Sequence, residues 1–184
     1  MDPFNFLLKK IYLIYSFNFL SGILFAQNNP IIKPATVESK SFDLMLKSML
    51  SFSIPLIGVD ELKQNFNDYN LLDTREYSEF KISHLKNAIW VGYENFDMNK
   101  LSKLEKNKAI VCYCSVGYRS EKICDKLSKN GFKYTYNLYG SIFEWANKSY
   151  PLYSSVDCLT DSIHAYNPLW GKFINNESLI KVYK

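Results

Sequence analysis

Between Ser53 and Leu152, short apolar runs alternate with stretches of helical periodicity, and this alternation restricts the fold more than any other feature of the chain. A strand buried on both faces reads as a nearly continuous apolar run. A series of such runs separated by amphipathic helices builds a parallel sheet covered on both sides. The spacing predicts strands over Ser53–Ile57, Asn70–Asp73, Ala88–Val91, Ala109–Tyr113 and Thr135–Leu138. Helices are expected over Val59–Phe66, Arg75–Phe80, Asn99–Glu105, Ser120–Asn130 and Ile142–Asn147, with Gly131 stopping the fourth and Pro151 closing the unit. Ahead of them, Phe42, Met45, Leu46 and Met49 recur at helical spacing and predict a short lead-in helix. The expected fold class is α/β, with about five strands in a mainly parallel sheet and helices on both faces.

At 184 residues, 47% of them apolar, the chain is long enough for one such core and too short for two. The expected division is a signal peptide or N-terminal anchor over residues 1–26, a linker and lead-in helix over 27–52, the domain over 53–152, and a C-terminal tail packing on it over 153–184. Lys9 and Lys10 precede an apolar run from Ile11 to Phe25 that ends in Ala26, the layout of an export signal. The run is shorter than the about 20 residues that span a bilayer and is diluted by Ser16, Asn18 and Ser21, so cleavage near Ala26 is preferred to an anchor. An exported, periplasmic protein is expected, with membrane contact only if this segment is retained. The net charge of +4 arises from 22 basic and 18 acidic residues scattered along the chain, without a block to follow a phosphate backbone, and no nucleic-acid partner is expected. Four cysteines in an exported chain invite a disulfide reading. Cys112 and Cys114 are poorly placed to pair with each other, Cys124 falls on a helical stretch, and only Cys158 in the tail has an open assignment. No zinc-like spacing of Cys and His occurs, so neither a metal nor another cofactor is expected.

In parallel sheets the chemistry sits at the carboxyl ends of strands. Here the run AIVCY ends at Cys114, followed by Ser115, Val116, Gly117, Tyr118 and Arg119 and then by a helix expected to begin at Ser120. A cysteine at such a junction feels the partial positive charge of the helix end and the inward-pointing loop amides, and both favour thiolate. An unperturbed thiol is about 3% ionised at pH 7, whereas one lowered by about two pKa units is about three-quarters ionised. Arg119 adds a fixed cation, Gly117 permits positive φ at the loop centre, and Ser120 suits the N-cap. Taken alone, Cys114 would read as a small buried hydrophobe ending a strand. The string CSVGYRS between a strand and a helix shifts the reading to a nucleophile.

This string resembles the active-site loop of the rhodanese superfamily, which carries Cys, Gly and Arg-Ser in this order. LLDTREYSEFKISHLKNAIWV resembles that family's first signature, an Asp-x-Arg turn leading through Glu and Phe to a His and then an Ala. NLYGSIFEW resembles its closing signature, with Gly140 and Trp145 in place. The resemblance implies a sulfurtransferase in which Cys114 takes a sulfane sulfur as a persulfide, the amides of Ser115 to Ser120 cradle it, and Arg119 helps to hold the donor. It implies a small sulfur donor, thiosulfate or a persulfide, and a thiol or cyanide acceptor, with a protein as an alternative acceptor. Asp73, Arg75 and His84 match positions that brace the loops around the site. Glu144 reads as an exposed or bracing carboxylate and Trp145 as core.

The family usually has Gly where this chain has Asn87 and Ser141. Asn tolerates left-handed geometry, and Ser141 is expected to cap the helix that follows while narrowing the pocket. Two other functions compete. One is a persulfide carrier that hands sulfur to a partner without turnover on free donors. The other is a cysteine phosphatase or arsenate reductase, whose Cys-to-Arg loop has one residue more than the four found here. Beyond the core, Ile163, Tyr166, Leu169, Trp170 and Phe173 stand at near-helical spacing. They predict a helix packed back on the domain, or a docking surface that brings His164 or Cys158 toward the site.

Overall fold

The computed structural model describes residues 35–183, and the segment expected to act as an export signal lies outside them. The elements run α1 (Lys40–Met49), β1 (Leu56–Ile57), α2 (Val59–Gln64), β2 (Asn70–Asp73), α3 (Tyr77–Ile82), β3 (Ile89–Trp90), β4 (Ile110–Tyr113), α4 (Tyr118–Lys129), β5 (Thr135–Leu138) and α5 (Ser141–Asn147). Their strands form one all-parallel sheet in the order β1-β5-β4-β2-β3. β4 is central, with Cys112 opposite Leu72 of β2 and Asn137 of β5. Successive side chains of a strand point to opposite faces, and β4 divides the core accordingly. Val111 and Tyr113 pack with α1, α2 and α5 through Leu46, Leu62 and Trp145, while Ile110 and Cys112 pack with Ile123 and Leu127 of α4. Helices therefore cover both faces.

The structure corrects several expected boundaries. β1 is shorter than Ser53–Ile57, because the Ser53 amide donates to Glu121 and Pro55 has no amide to offer a ladder. Instead of a helix over Asn99–Glu105 there is one 3-10 turn at Met98–Leu101, whose only buried side chain is Leu101. A single anchor does not sustain a longer helix. α3 starts at Tyr77 rather than Arg75, since the Arg75 amide turns back to Asp73 Oδ1 at 2.9 Å. At the end of α4, Gly131 takes φ +89° and the Phe132 amide reaches the Leu127 carbonyl at 3.2 Å, a bond pattern that terminates a helix through a left-handed residue.

The expected C-terminal helix is replaced by strands. β6 (Leu152–Tyr153) pairs antiparallel with β7 (Leu159–Thr160), and β8 (Ser162–His164) pairs in parallel with β9 (Ile180–Val182), with a 3-10 turn at Trp170–Phe173 between the last two. Pro168 and Gly171 interrupt any helical run here. Ile163, Ala165 and Ile174 join the same buried cluster as Leu152 and Trp145.

Candidate active site

The loop after β4 is shaped by its neighbours. Ser141 Oγ accepts the Cys114 amide at 3.1 Å, and the first amides of α5, Ile142 and Phe143, donate to the carbonyls of Cys114 and Ser115, both at 3.2 Å. With those carbonyls drawn toward α5, the Gly117 amide donates to Cys114 Sγ at 3.1 Å. Gly117 is the N-cap of α4 with φ +123°, a value closed to L side chains. The expected N-cap, Ser120, lies inside α4, and its hydroxyl donates to Asn137 Oδ1 at 2.7 Å. Asn137 Nδ2 donates in turn to the Gly117 carbonyl at 3.0 Å. Ser141 is likewise not the cap of α5; Gly140 is, and Ser141 is the first helical residue, with φ +52°.

Cys114 is only 1% exposed. Burial pushes its thiol pKa up, but the Arg119 charge, the Ser120 and Gly117 amides and the Ser120 hydroxyl together bring it below that of a free cysteine. Of the amides expected to form a cradle, those of Gly117 and Ser120 thus act on the sulfur. Cys112, within β4 and packed against α4, is pushed up by burial and by its neighbour Cys124.

Arg119 does not project as a free cation. Its two terminal nitrogens donate to both oxygens of Glu79 at 2.7 and 2.9 Å. Ser115 Oγ lies between them, accepting from Arg119 at 3.0 Å and donating to Glu79 at 3.2 Å. Burial would raise the Glu79 pKa, yet the hydrogen bonds and charge of Arg119, with the charge of Arg75, hold it at about 2. Arg119's charge therefore acts on Cys114 as half of an ion pair.

Asp73 and Arg75 are both fully buried and paired through Arg75 Nε and Nη2, the latter also donating to the Ser83 carbonyl. They hold the β2–α3 turn beneath Glu79 and do not line the cavity beside Cys114. His84 stacks on Phe80 with ring centroids 4.0 Å apart, its Nδ1 lies 3.0 Å from the Phe80 carbonyl, and its backbone pairs with Tyr153. It also stands outside the cavity. Asn87 has the left-handed φ, +58°, that its side chain tolerates. Glu144 is buried rather than exposed; burial raises its pKa, and it accepts the Glu38 amide at 2.9 Å. Trp145 is core, donating to the Pro151 carbonyl.

The cavity over Cys114 measures about 360 Å³. Ser115, Val116, Tyr118 and Arg119 line it from the loop, Met49 from α1, and Glu76, Tyr93 and Glu94 from the β2 and β3 crossovers. Tyr166 and Trp170 of the C-terminal segment complete it. Tyr118, Glu94 and Tyr166 are exposed, so the mouth is open. His164 Nδ1 lies 3.8 Å from Glu79 and accepts the Tyr166 amide at 3.2 Å, burial lowering its pKa. Cys158 is exposed in the β6–β7 hairpin, away from these walls. Among the described residues no group of three or more His, Cys, Asp or Glu could hold a metal ion.

Glu79, Asn137 and the role of Ser141 escape a reading by spacing. Glu79 alone left a signal, since it stands three residues after Glu76, whose amide it accepts at 3.0 Å.

Comparison with known proteins bears on the domain that carries this loop. The family model for the rhodanese-like domain matches residues 58–148. Proteins named tRNA uridine(34) hydroxylase are similar in Yersinia pestis (strain Pestoides F), with 34% identity over 100 residues, 50% of this chain and 28% of that protein, and in Wigglesworthia glossinidia brevipalpis, with 35% over 96 residues, 47% of this chain and 30% of that protein. The chain thus matches less than a third of the length of these curated relatives. The solution structure of a rhodanese-like domain from Anabaena sp. superposes with TM-score 0.52 at 22% identity over 58% of this chain and 83% of that one. The crystal structure of a thiosulfate sulfurtransferase from Pseudomonas aeruginosa superposes with TM-score 0.51 at 16% identity over 65% of this chain and 23% of that one. Both share the fold. Sequence likeness across the domain and the shared all-parallel sheet lead to one assignment: residues 58–148 of this chain are a rhodanese-like domain.

Proposed function

We propose that this chain is a sulfurtransferase that carries a sulfane sulfur as a persulfide on Cys114. The sulfur comes from thiosulfate or a persulfide and passes to a thiol or cyanide, or to a protein thiol. The observation that supports this most directly is the Cys114 sulfur lining an open cavity, hydrogen-bonded by the Gly117 amide and biased toward thiolate. With thiosulfate, the Cys114 thiolate attacks the outer sulfur, the donor's S–S bond breaks, and sulfite leaves with the electron pair. A new Sγ–S bond carries the negative charge on its terminal sulfur, where loop amides at the head of α4 stabilise it. An acceptor thiolate then attacks that terminal sulfur and returns Cys114 as thiolate. Asp73, Arg75 and His84 support the loops and touch neither sulfur.

Mass spectrometry of the protein after excess thiosulfate is the test. One added sulfur at Cys114, absent in Cys114→Ser, is expected, and a Cys114 that neither thiosulfate nor an organic hydropersulfide modifies would falsify the reading. Thiocyanate release on adding cyanide distinguishes an enzyme from a carrier that stays loaded.

The identity to proteins named tRNA uridine(34) hydroxylase favours a second reading, action on a tRNA uridine. Nucleoside analysis of tRNA incubated with the protein decides it, a hydroxylated uridine being the positive result. Export of the domain is part of the proposal, resting on the Lys9–Ala26 pattern. N-terminal sequencing of protein recovered from a bacterial periplasm, starting near Gln27, is the expected outcome.

A further inference from the structure

We infer that the donor for Cys114 is the persulfide of an apolar, aromatic-bodied thiol without negative charge, and that Tyr166 of the C-terminal segment selects it. This rests on the reading of Cys114 as a sulfane-sulfur acceptor and goes beyond it in naming the substrate class.

Three observations carry the inference. The first is shape: at about 360 Å³ the cavity falls in the range of pockets for small organic molecules, about 300–1,000 Å³. Its walls are organic in character, with Met49, Tyr93, Tyr118, Tyr166 and Trp170 around the nucleophile.

The second is charge. Among the described residues the cavity's one cation, Arg119, is held by both oxygens of Glu79, and two further carboxylates, Glu76 and Glu94, line the walls. A small dianion such as thiosulfate meets carboxylates there and no unpaired cation, whereas an uncharged body meets no such repulsion.

The third is the way Tyr166 is placed. Its φ is +64°, and the Asn167 amide donates to the Ala165 carbonyl at 2.8 Å, closing a three-residue turn about it. Left-handed backbone at an aromatic residue is uncommon and costs on the order of 1 kcal/mol. It persists here because His164 Nδ1 accepts the Tyr166 amide and because Ile163 and Ala165 are locked in the core. The result is a ring standing 5.7 Å from the Arg119 guanidinium, at once covering the ion pair and presenting an aromatic wall to the cavity. Tyr166 and Trp170 lie beyond the family match at 58–148, so this wall belongs to the chain's own extension.

The transfer balances without an added oxidant. The Cys114 thiolate attacks the terminal sulfur of R–S–S–H, the donor S–S bond breaks, R–S⁻ leaves with the electron pair and takes a proton from water, and Cys114 retains the sulfur and its proton as a hydropersulfide.

The experiment measures the rate of persulfide formation at Cys114 on the full chain with benzyl, 4-carboxybenzyl and methyl hydropersulfide, alongside excess thiosulfate. The benzyl donor is expected to load about tenfold faster than the methyl donor and than its carboxylated counterpart. Tyr166→Ala, at an exposed side chain, should lower the benzyl-to-methyl ratio by about fivefold. Glu94→Gln should narrow the gap between the two benzyl donors. Equal loading by the three hydropersulfides, or a ratio unmoved in Tyr166→Ala, overturns the inference and leaves the sulfurtransferase reading in place. Loading by none of the four donors removes both.

Discussion

Cys112 and Cys114 are separated by one residue of a β-strand and sit in opposite electrostatic surroundings. Cys112 faces Cys124 and the apolar side chains of α4, where burial holds the thiol protonated. Cys114 stands past the strand's end, where Arg119 and the Gly117 and Ser120 amides outweigh burial. Iodoacetamide should therefore alkylate Cys114 with a pH midpoint below that of free cysteine, while Cys112 and Cys124 stay unmodified in the folded protein; peptide mapping across a pH series checks this. Glu79 supplies the second residue-level prediction. Its folded pKa of about 2 lies below its ordinary 4.5, so its contribution is fully present above pH 4.5 and lost as pH falls toward 2. The size is about 3 kcal/mol. Urea unfolding between pH 5 and pH 2 should show that loss, and Glu79→Gln should lower stability at pH 7 by about 3 kcal/mol while flattening the dependence, because Arg119 is left partly buried without its partner.

At the scale of elements, the nucleophile's position depends on two helix starts that meet the end of β4. α4 begins at a glycine in a conformation only glycine adopts readily, and α5 begins at Ser141, an L-residue held left-handed. Ser141 offsets that strain by accepting the Cys114 amide, its hydroxyl also lying 3.2 Å from the Leu138 carbonyl. The two effects separate by mutation. Ser141→Gly relieves the strain and loses the hydrogen bond, so stability should change by less than about 1 kcal/mol. Ser141→Ala keeps the strain and leaves a buried amide without its acceptor, at about 2 kcal/mol. Urea denaturation of both variants should show this ranking, and Ser141→Ala should also slow persulfide formation by shifting the loop.

For the whole molecule, the segment beyond Leu152 shares the core of the sheet and also walls the cavity. Deleting residues 154–184 removes Ile163 and Ile174 from the buried cluster, at about 2 kcal/mol each, and uncovers their neighbours. Calorimetry should show a melting temperature lower by at least about 10 °C, and the truncated chain should bind a hydrophobic dye. The α/β class and the run of parallel strands were legible in the sequence because buried parallel strands are locally apolar and the helices between them carry a periodic face. Two strands, Asn70–Asp73 and Thr135–Leu138, even keep their expected ends. The short extent of the edge strands, the 3-10 turn at Met98–Leu101 and the strands from Leu152 onward were not legible, since their form depends on partners far along the chain. The same division holds at the site. Sequence alone determined that Cys114, Gly117 and Arg119 stand in order at a strand–helix junction, because that proximity is covalent. Only the tertiary structure decided that Arg119 is paired with Glu79, that Ser141 and Asn137 hold the loop, and that Tyr166 walls the cavity, because those contacts form only when packing brings distant segments together.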